Sequence, residues 1–127
     1  MDQMDLNRIV TQDFLDTLLP PEKSDQFFEA LYGDAAEGAY DIRLAPVSIS
    51  RDRIVLAFNL TQRPGKCLVC SLTYGLPNVF SRHPLINIKG MVDAMDKAGV
   101  RVKNWRLGDT EESSASLHTI PLYLDLT

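Results

Sequence analysis

Apolar residues in the first third of the chain follow the spacing of amphipathic helices. They recur every three or four positions over residues 5–19, where Thr11 can cap a second helical start. The double proline at 20–21 ends this segment and also suits the first turn of a further helix, which Gly33 ends. The apolar face of that further helix comprises Phe27, Phe28, Leu31 and Tyr32. The pattern therefore predicts an acidic helical segment over residues 5–33.

Beyond residue 39 the period of the pattern falls to two, as in strands. Apolar residues alternate with polar ones from Tyr40 to Leu44, and Pro46 interrupts the alternation as a bulge or an edge position would. A polar turn leads to a second alternating run over residues 54–61, and the turn at Pro64-Gly65 leads to a third strand, Cys67–Tyr74. Three consecutive strands with short turns predict an antiparallel meander.

The next segment predicts a loop, a helix and a fourth strand. Residues 75–85 contain two prolines and are typical of a long loop. Asn87 then begins a helix with an apolar face, and Gly99 ends it. A fourth strand follows over residues 100–107.

The last residues predict a polar loop over 108–116 and a fifth strand over 117–126, in which Pro121 indicates an edge position. The element order is then α-α-β-β-β-α-β-β. We therefore expect an α+β fold in one domain, 1–127, with an antiparallel sheet of about five strands and one inserted helix over 40–126, and with helices packed on one face.

The composition agrees with a single folded domain. The chain has 127 residues, 45% of them apolar and 24% charged. It contains no apolar run of membrane-spanning length, and its first residues lack the basic and apolar regions of a signal peptide. We expect a cytoplasmic protein that does not enter the membrane.

The net charge of −4 conceals a strong asymmetry along the chain. Residues 1–41 hold ten acidic and two basic residues, residues 42–108 hold three acidic and eleven basic residues, and residues 109–127 hold four acidic residues alone. Two interpretations stay open. The acidic segments either lie near the basic one and neutralise part of its charge, or the basic segment presents a face to an acidic partner.

Cys67 and Cys70 form a Cys-x₂-Cys motif. A redox pair would place a cysteine at a helix N-terminus, where the helix dipole lowers the thiol pKa. Here the residues that follow predict a strand, in which positions 67 and 70 point to opposite faces. We therefore expect two buried core thiols that do not form a disulfide with each other.

A metal site is the alternative for the same cysteines. Twelve residues separate Cys70 from His83, so Cys67, Cys70 and His83 have the spacing of the first half of a zinc finger. Three to five residues after His83 there is no usual zinc ligand, and a fourth ligand would be His118 or an acid that the fold brings near. We expect His118 to be a hydrogen-bonded core residue and the protein to have no cofactor, with zinc as the alternative.

Basic residues supply the candidate binding surface. Arg82 and His83 stand together in the proline-bounded loop, where they can hold an anion, and the alternation of the fourth strand puts Arg101, Lys103 and Trp105 on one face. Such a stripe can contact nucleic acid, but the sequence pI of about 5.0 disfavours it. The candidate partner-binding residues are Arg63, Lys66, Arg82, His83, Arg101, Lys103 and Trp105.

Signatures of common enzyme classes are absent from the sequence. It contains no Gly-x-Ser-x-Gly or Gly-x-Gly-x-x-Gly motif, and Pro64-Gly65-Lys66-Cys67 lacks both the earlier glycine and the Ser or Thr of a phosphate loop. We assign no catalytic residue and expect a protein that is not an enzyme.

The stretch RPGKCLVCSLTYGLPNVFSRHP, residues 63–84, together with INIKG at 86–90, resembles an uncharacterised family of short bacterial proteins. The resemblance implies no activity. Some members carry a homeobox-type label, but a homeodomain has three helices, whereas residues 104–106 here lie in a strand pattern. The predicted element order is also similar to that of type III secretion chaperones, which implies a homodimer that holds a partner chain partly unfolded.

The leading hypothesis is a non-enzymatic interaction module, a dimer that binds another protein through a sheet edge or groove. A metal- or thiol-dependent protein that uses Cys67 and Cys70 is the alternative, and nucleic-acid binding through the basic sheet face is a weaker one.

Overall fold

A computed structural model describes residues 3–34, 38–68 and 73–127 of the chain. Its helices are α1 (Gln3–Ile9), α2 (Gln12–Leu18), α3 (Glu22–Tyr32), α4 (Leu76–Phe80) and α5 (Ile88–Lys97), and its strands are β1 (Tyr40–Ile49), β2 (Arg53–Gln62), β3 (Val102–Leu107), β4 (Glu111–Ser114) and β5 (Leu117–Leu126). The strands form one antiparallel sheet, so the predicted α+β class is confirmed. None of the helices within the described ranges has the length and apolar character needed to cross a membrane.

Helix boundaries follow the residues that predicted them. The Thr11 hydroxyl accepts a hydrogen bond from the Phe14 amide at 3.2 Å, which separates α2 from α1. Gly33 ends α3 in the left-handed region at φ 79°, where a side chain would be strained. Asn87 caps α5 by accepting from the Gly90 amide. These caps are local, which is why the sequence predicts them.

The hydrophobic core lies between the helices and one face of the sheet. Alternate residues of β2, of β5 up to Leu124 and of the first half of β1, up to Leu44, are buried on that face. The helices supply aromatic side chains to it, with Phe27 and Phe28 from α3 and Phe80 from α4 all at most 1% exposed. Leu31 and Tyr32 were predicted on the same apolar face of α3, but they are 43% and 61% exposed.

The predicted third strand and the meander are wrong. Of residues 67–74, those that the structure describes are not in a strand, and Thr73–Gly75 form a 3₁₀ turn. β5 occupies the place beside β2 instead, with pairs from Arg53↔Asp125 to Thr61↔Leu117. Nine consecutive cross-strand pairs fix the position of β5, and the segment that follows β2 crosses over the core with Leu68 fully buried.

Two predicted loops contain regular structure. Residues 75–85 include α4, where Pro77 is in the first turn of the helix and Phe80 anchors it in the core. Residues 108–116 include β4, which pairs with the beginning of β5. The polarity of residues 111–114 reflects exposure, because β4 is exposed along its whole length.

The edge position predicted for β5 is also wrong, because β5 pairs with β2 on one side and with β3 and β4 on the other. Pro121 stands opposite the break between β3 and β4. Its carbonyl accepts from the Gly108 amide at 2.8 Å, so its nitrogen faces that break, and the missing N–H removes only the reciprocal bond to Gly108, just past the end of β3.

β1 lies at one edge of the sheet, and the N-terminal helices close that edge. The Ser24 hydroxyl accepts from the Ile42 amide at 2.8 Å, and the Gln12 side-chain amide donates to the Leu44 carbonyl at 2.7 Å. Pro46 is the next residue whose backbone faces this outer side, and it carries no N–H. The predicted bulge lies between Pro46 and Ser48. The backbone groups that another strand would need are therefore already occupied or absent along this stretch.

Candidate interaction surface

The opposite edge of the sheet consists of β3 and β4. β3 pairs with residues 122–126 of β5 and β4 pairs with residues 117–119, both antiparallel. The two short strands therefore follow one another in chain order along a single edge. The Arg101 carbonyl, just before β3, accepts from the Thr127 amide after β5. We call residues 101–114 the β3–β4 edge.

Backbone groups of this edge point away from the sheet. The Gly108 amide donates to the Pro121 carbonyl, so the backbone groups of Gly108 point inward, toward β5. In an antiparallel strand, successive residues point their N–H and C=O alternately to the two sides. Trp105 and Leu107 therefore direct their backbone groups to the outer side of β3. In the part of the chain that the structure describes, no further strand pairs there.

Charged side chains line the β3–β4 edge. The exposed basic residues of its first half are Arg101, Lys103 and Arg106. The exposed acidic residues of its second half are Asp109, Glu111 and Glu112. The Arg106 guanidinium lies over the Tyr123 ring, 4.2 Å from its centroid. Glu112 interacts with Tyr74, and this hydrogen bond raises the pKa of the Tyr74 phenol because it favours the protonated form.

The predicted stripe of Arg101, Lys103 and Trp105 is not a single sheet face. The register shifts between Val102 and Asn104, which is a bulge that breaks the alternation. Trp105 lies opposite Leu124 and packs against the core, whereas Lys103 is exposed at the bulge. The arrangement offers no flat basic-aromatic platform for stacking bases, so nothing in the geometry favours nucleic acid.

The side chain of Arg63 is held by contacts within the fold. Its guanidinium contacts Asp25 at 2.8 Å and Asp41 at 3.0 Å, and it lies 5.3 Å from the centroid of the Phe28 ring. Only 17% of the side chain is exposed. Arg63 thus ties α3 to β1. Arg43 of β1 ties that strand to α2 through its 3.1 Å ion pair with Asp16, which lowers the pKa of that carboxyl. Acidic and basic segments therefore neutralise one another at the β1 side of the fold.

Lys66, Arg82 and His83 lie elsewhere. Lys66 is exposed in the turn after β2, where Gly65 has φ 75°. Arg82 and His83 follow α4 and line an open depression of about 370 Å³. The His83 ring packs edge-on against Phe27 at 4.9 Å, and its Nδ1 accepts from the Leu85 amide. The fold does not bring this pair to the β3–β4 edge.

Cys67 is exposed and disulfide-bonded, which contradicts the expected buried free thiol. The sequence contains one other cysteine, Cys70, which lies outside the described residues. The expectation failed because it assumed a strand through residue 67, whereas Cys67 lies in irregular backbone. No three His, Cys, Asp or Glu side chains are grouped as metal ligands within the described ranges. The zinc site of Cys67, Cys70 and His83 stays a prediction.

His118 is a buried residue, as predicted, and belongs to a polar cluster that the sequence did not reveal. Its Nδ1 lies 2.7 Å from the Thr73 hydroxyl, and the Thr110 hydroxyl donates to the Thr73 carbonyl at 2.8 Å. His118 Nε2 is buried and has no hydrogen-bond partner among the residues described. The cluster fastens the 3₁₀ turn and the β3–β4 break onto β5, and so positions the edge.

Comparison of this chain with protein-family models, with curated proteins and with solved structures finds no match. The acidic half of the edge is the part that sequence reasoning missed. Its signal was the polar run after residue 108, which we interpreted as a loop.

Proposed function

We propose that the protein is a non-enzymatic interaction module that binds a strand of another polypeptide chain along the β3–β4 edge. The observation that carries this proposal is the contrast between the two edges of the sheet. Ser24, Gln12 and Pro46 close the β1 edge, whereas the outward backbone groups of Trp105 and Leu107 belong to an edge without a further strand in the described structure.

Strand addition suits such an edge. The incoming strand gains main-chain hydrogen bonds, and side chains at alternate positions give the specificity. The charged residues of the β3–β4 edge oppose unselective aggregation, because they admit only a strand with complementary charges. A partly unfolded chain, or a second copy of this chain, offers an extended segment of this kind, so a chaperone-like role and a homodimer are alternative uses of this edge.

Site-specific photo-crosslinking tests the proposal. A photoreactive residue replaces Lys103 in β3 or Ser113 in β4, both exposed, and the protein is irradiated in the cells that produce it. We expect both positions to crosslink to one extended segment of a polypeptide, identified by mass spectrometry of the joined peptides. Val47, which is 63% exposed on the closed β1 edge, is the matched control and should not form this adduct. Adducts at Val47 alone, or at none of the three positions, would contradict the proposal.

A second candidate function is thiol–disulfide exchange by the Cys67 and Cys70 pair. The disulfide-bonded state and the exposure of Cys67 favour it, because an exchanging sulfur must be accessible to a thiolate. A dithiol reductant would give up two electrons and two protons and become a disulfide, leaving Cys67 and Cys70 as thiols. Zinc binding by Cys67, Cys70 and His83 would need this reduced form, since thiolates are the ligands.

Equilibration with glutathione redox buffers tests this second function. If the pair exchanges, the protein should be half reduced at a potential between about −120 and −270 mV, the range of exchange-active motifs. A Cys70→Ser variant is the control and should show no intramolecular two-electron equilibrium. A disulfide that stays oxidised below about −300 mV would be structural, and the function would be ruled out.

A further inference from the structure

The charge of the β3–β4 edge changes sign at the break between its two strands. The three bases come first along the chain and the three acids follow them. All six side chains are exposed, and none of them forms an ion pair within the described ranges. An edge with opposite charges in its two halves is complementary to itself, because a two-fold rotation exchanges the halves.

We propose that the strand bound at this edge is the β3–β4 edge of a second copy of the chain, an inference that rests on the proposed function. The two-fold axis is perpendicular to the sheet and passes through the break at residues 108–110. The two edges then run antiparallel, and the basic half of each copy lies along the acidic half of the other. The contact occurs twice, as an isologous dimer requires.

The register of this dimer follows from the pairing within each copy. With the axis between Gly108 and Asp109, Arg106 of one copy lies directly opposite Glu111 of the other. Arg106 pairs with Tyr123, and Glu111 pairs with Thr119. Alternate residues of β5 share a face, so both side chains lie on the sheet face opposite the core. A two-fold axis perpendicular to the sheet keeps them on the same face, where opposite charges across an antiparallel pair stabilise it.

Other self-pairings of this edge are disfavoured by charge. If β3 paired with β3 of a second copy so that Trp105 lay opposite Leu107, the two Arg106 side chains would face one another, and like charges directly opposite destabilise a strand pair. The β1 edge does not compete, since Ser24 and Gln12 already occupy its outward backbone groups. The charge order therefore selects the pairing of β3 with β4.

Sedimentation velocity on charge-reversal variants tests the inference. Arg106→Glu and Glu111→Arg each place two like charges at both equivalent contacts, so each should weaken the dimer at least tenfold at low ionic strength. The double variant, Arg106→Glu with Glu111→Arg, restores opposite charges and should dimerise like the unmodified protein. Equimolar mixing of the two single variants should produce a heterodimer, because each then meets its complement. Lys89→Glu, on the exposed side of α5, is the control and should leave the dimer unchanged.

The outcomes separate this inference from the proposed function. A protein that is monomeric at all accessible concentrations, or single reversals that dimerise as tightly as the unmodified chain, would overturn the self-pairing. If the crosslinks at Lys103 and Ser113 then join a different polypeptide, the interaction module stands without the dimer. Circular dichroism of each variant checks that the fold is retained, which the exposure of Arg106 and Glu111 leads us to expect.

Discussion

Replacement of Phe80 by alanine is expected to lower the free energy of unfolding by about 3–5 kcal/mol, the usual cost of a buried Phe→Ala cavity. Phe80 is fully buried at the end of α4. Its ring centroid lies 5.5 Å from that of Phe27 and 5.2 Å from that of Phe58, with edge-to-face geometry in both cases. One side chain thus joins α4 to α3 and to the central part of β2, so its removal empties a site that three elements share.

Equilibrium urea unfolding measures this loss, with Trp105, the only tryptophan, as the fluorescence reporter. Val79→Ala is the matched control from the same helix. Val79 is 36% exposed, so its truncation should cost only about 1 kcal/mol or less. Equal losses for the two variants would mean that α4 is not part of the cooperative core.

Replacement of Gly38 by alanine is expected to destabilise the fold by about 1–3 kcal/mol, because the new methyl group would overlap a buried ring. A Cβ at position 38 would lie within 2.6 Å of ring atoms of Phe28. Phe28 is 1% exposed and is held edge-on against Phe27 and Tyr40, with centroids 5.5 and 4.9 Å away. The ring therefore has no free space into which it can move.

Gly75→Ala is the control for this prediction, since a Cβ there meets no atom within 4 Å and the backbone has φ −83°. It should leave the stability unchanged or raise it slightly. The double variant Gly38→Ala with Phe28→Leu gives a sharper test. If overlap with the ring is the cause, the double variant should lose less stability than the two single losses combined. Strictly additive losses would contradict the explanation.

The function proposed for this chain depends on an asymmetry between the two sides of the sheet. On the β1 side, the acidic helices α2 and α3 cover the edge, and the ion pairs of Arg43 and Arg63 neutralise basic residues there. On the other side, the charges of β3 and β4 have no such partners in the described structure. Mutual neutralisation of the charge blocks therefore applies at the β1 edge, and a charged face for a partner stays a prediction for the β3–β4 edge.

The hairpin of β1 and β2, the caps at Thr11 and Asn87 and the stop at Gly33 were predictable from the sequence. Each depends on residues within a few positions of one another, such as the Thr11 hydroxyl and the Phe14 amide. The bulge at Pro46 was predictable for the same reason, since proline removes a donor wherever it stands.

The failures have one physical cause, which is competition between segments that are distant in the sequence. Residues 67–74 have the composition of a strand, but β5 offers nine pairs to β2 and takes the neighbouring position. Pro121 indicated an edge, although a proline is equally harmless in a central strand opposite a break. A pattern of apolar residues does not show which strand lies next to which.

The sequence by itself determined the N-terminal helices and α5, the first hairpin, most of the faces that are buried and the segregation of charge, because local hydrogen bonds and periodicity specify them. Only the tertiary structure decided that β5 is central, that Cys67 is exposed and that the acids of β4 continue the line of bases on β3. These properties depend on which segments meet across the sheet. The free energy that favours one strand order over another comes from many cross-strand contacts, and no single segment contains it.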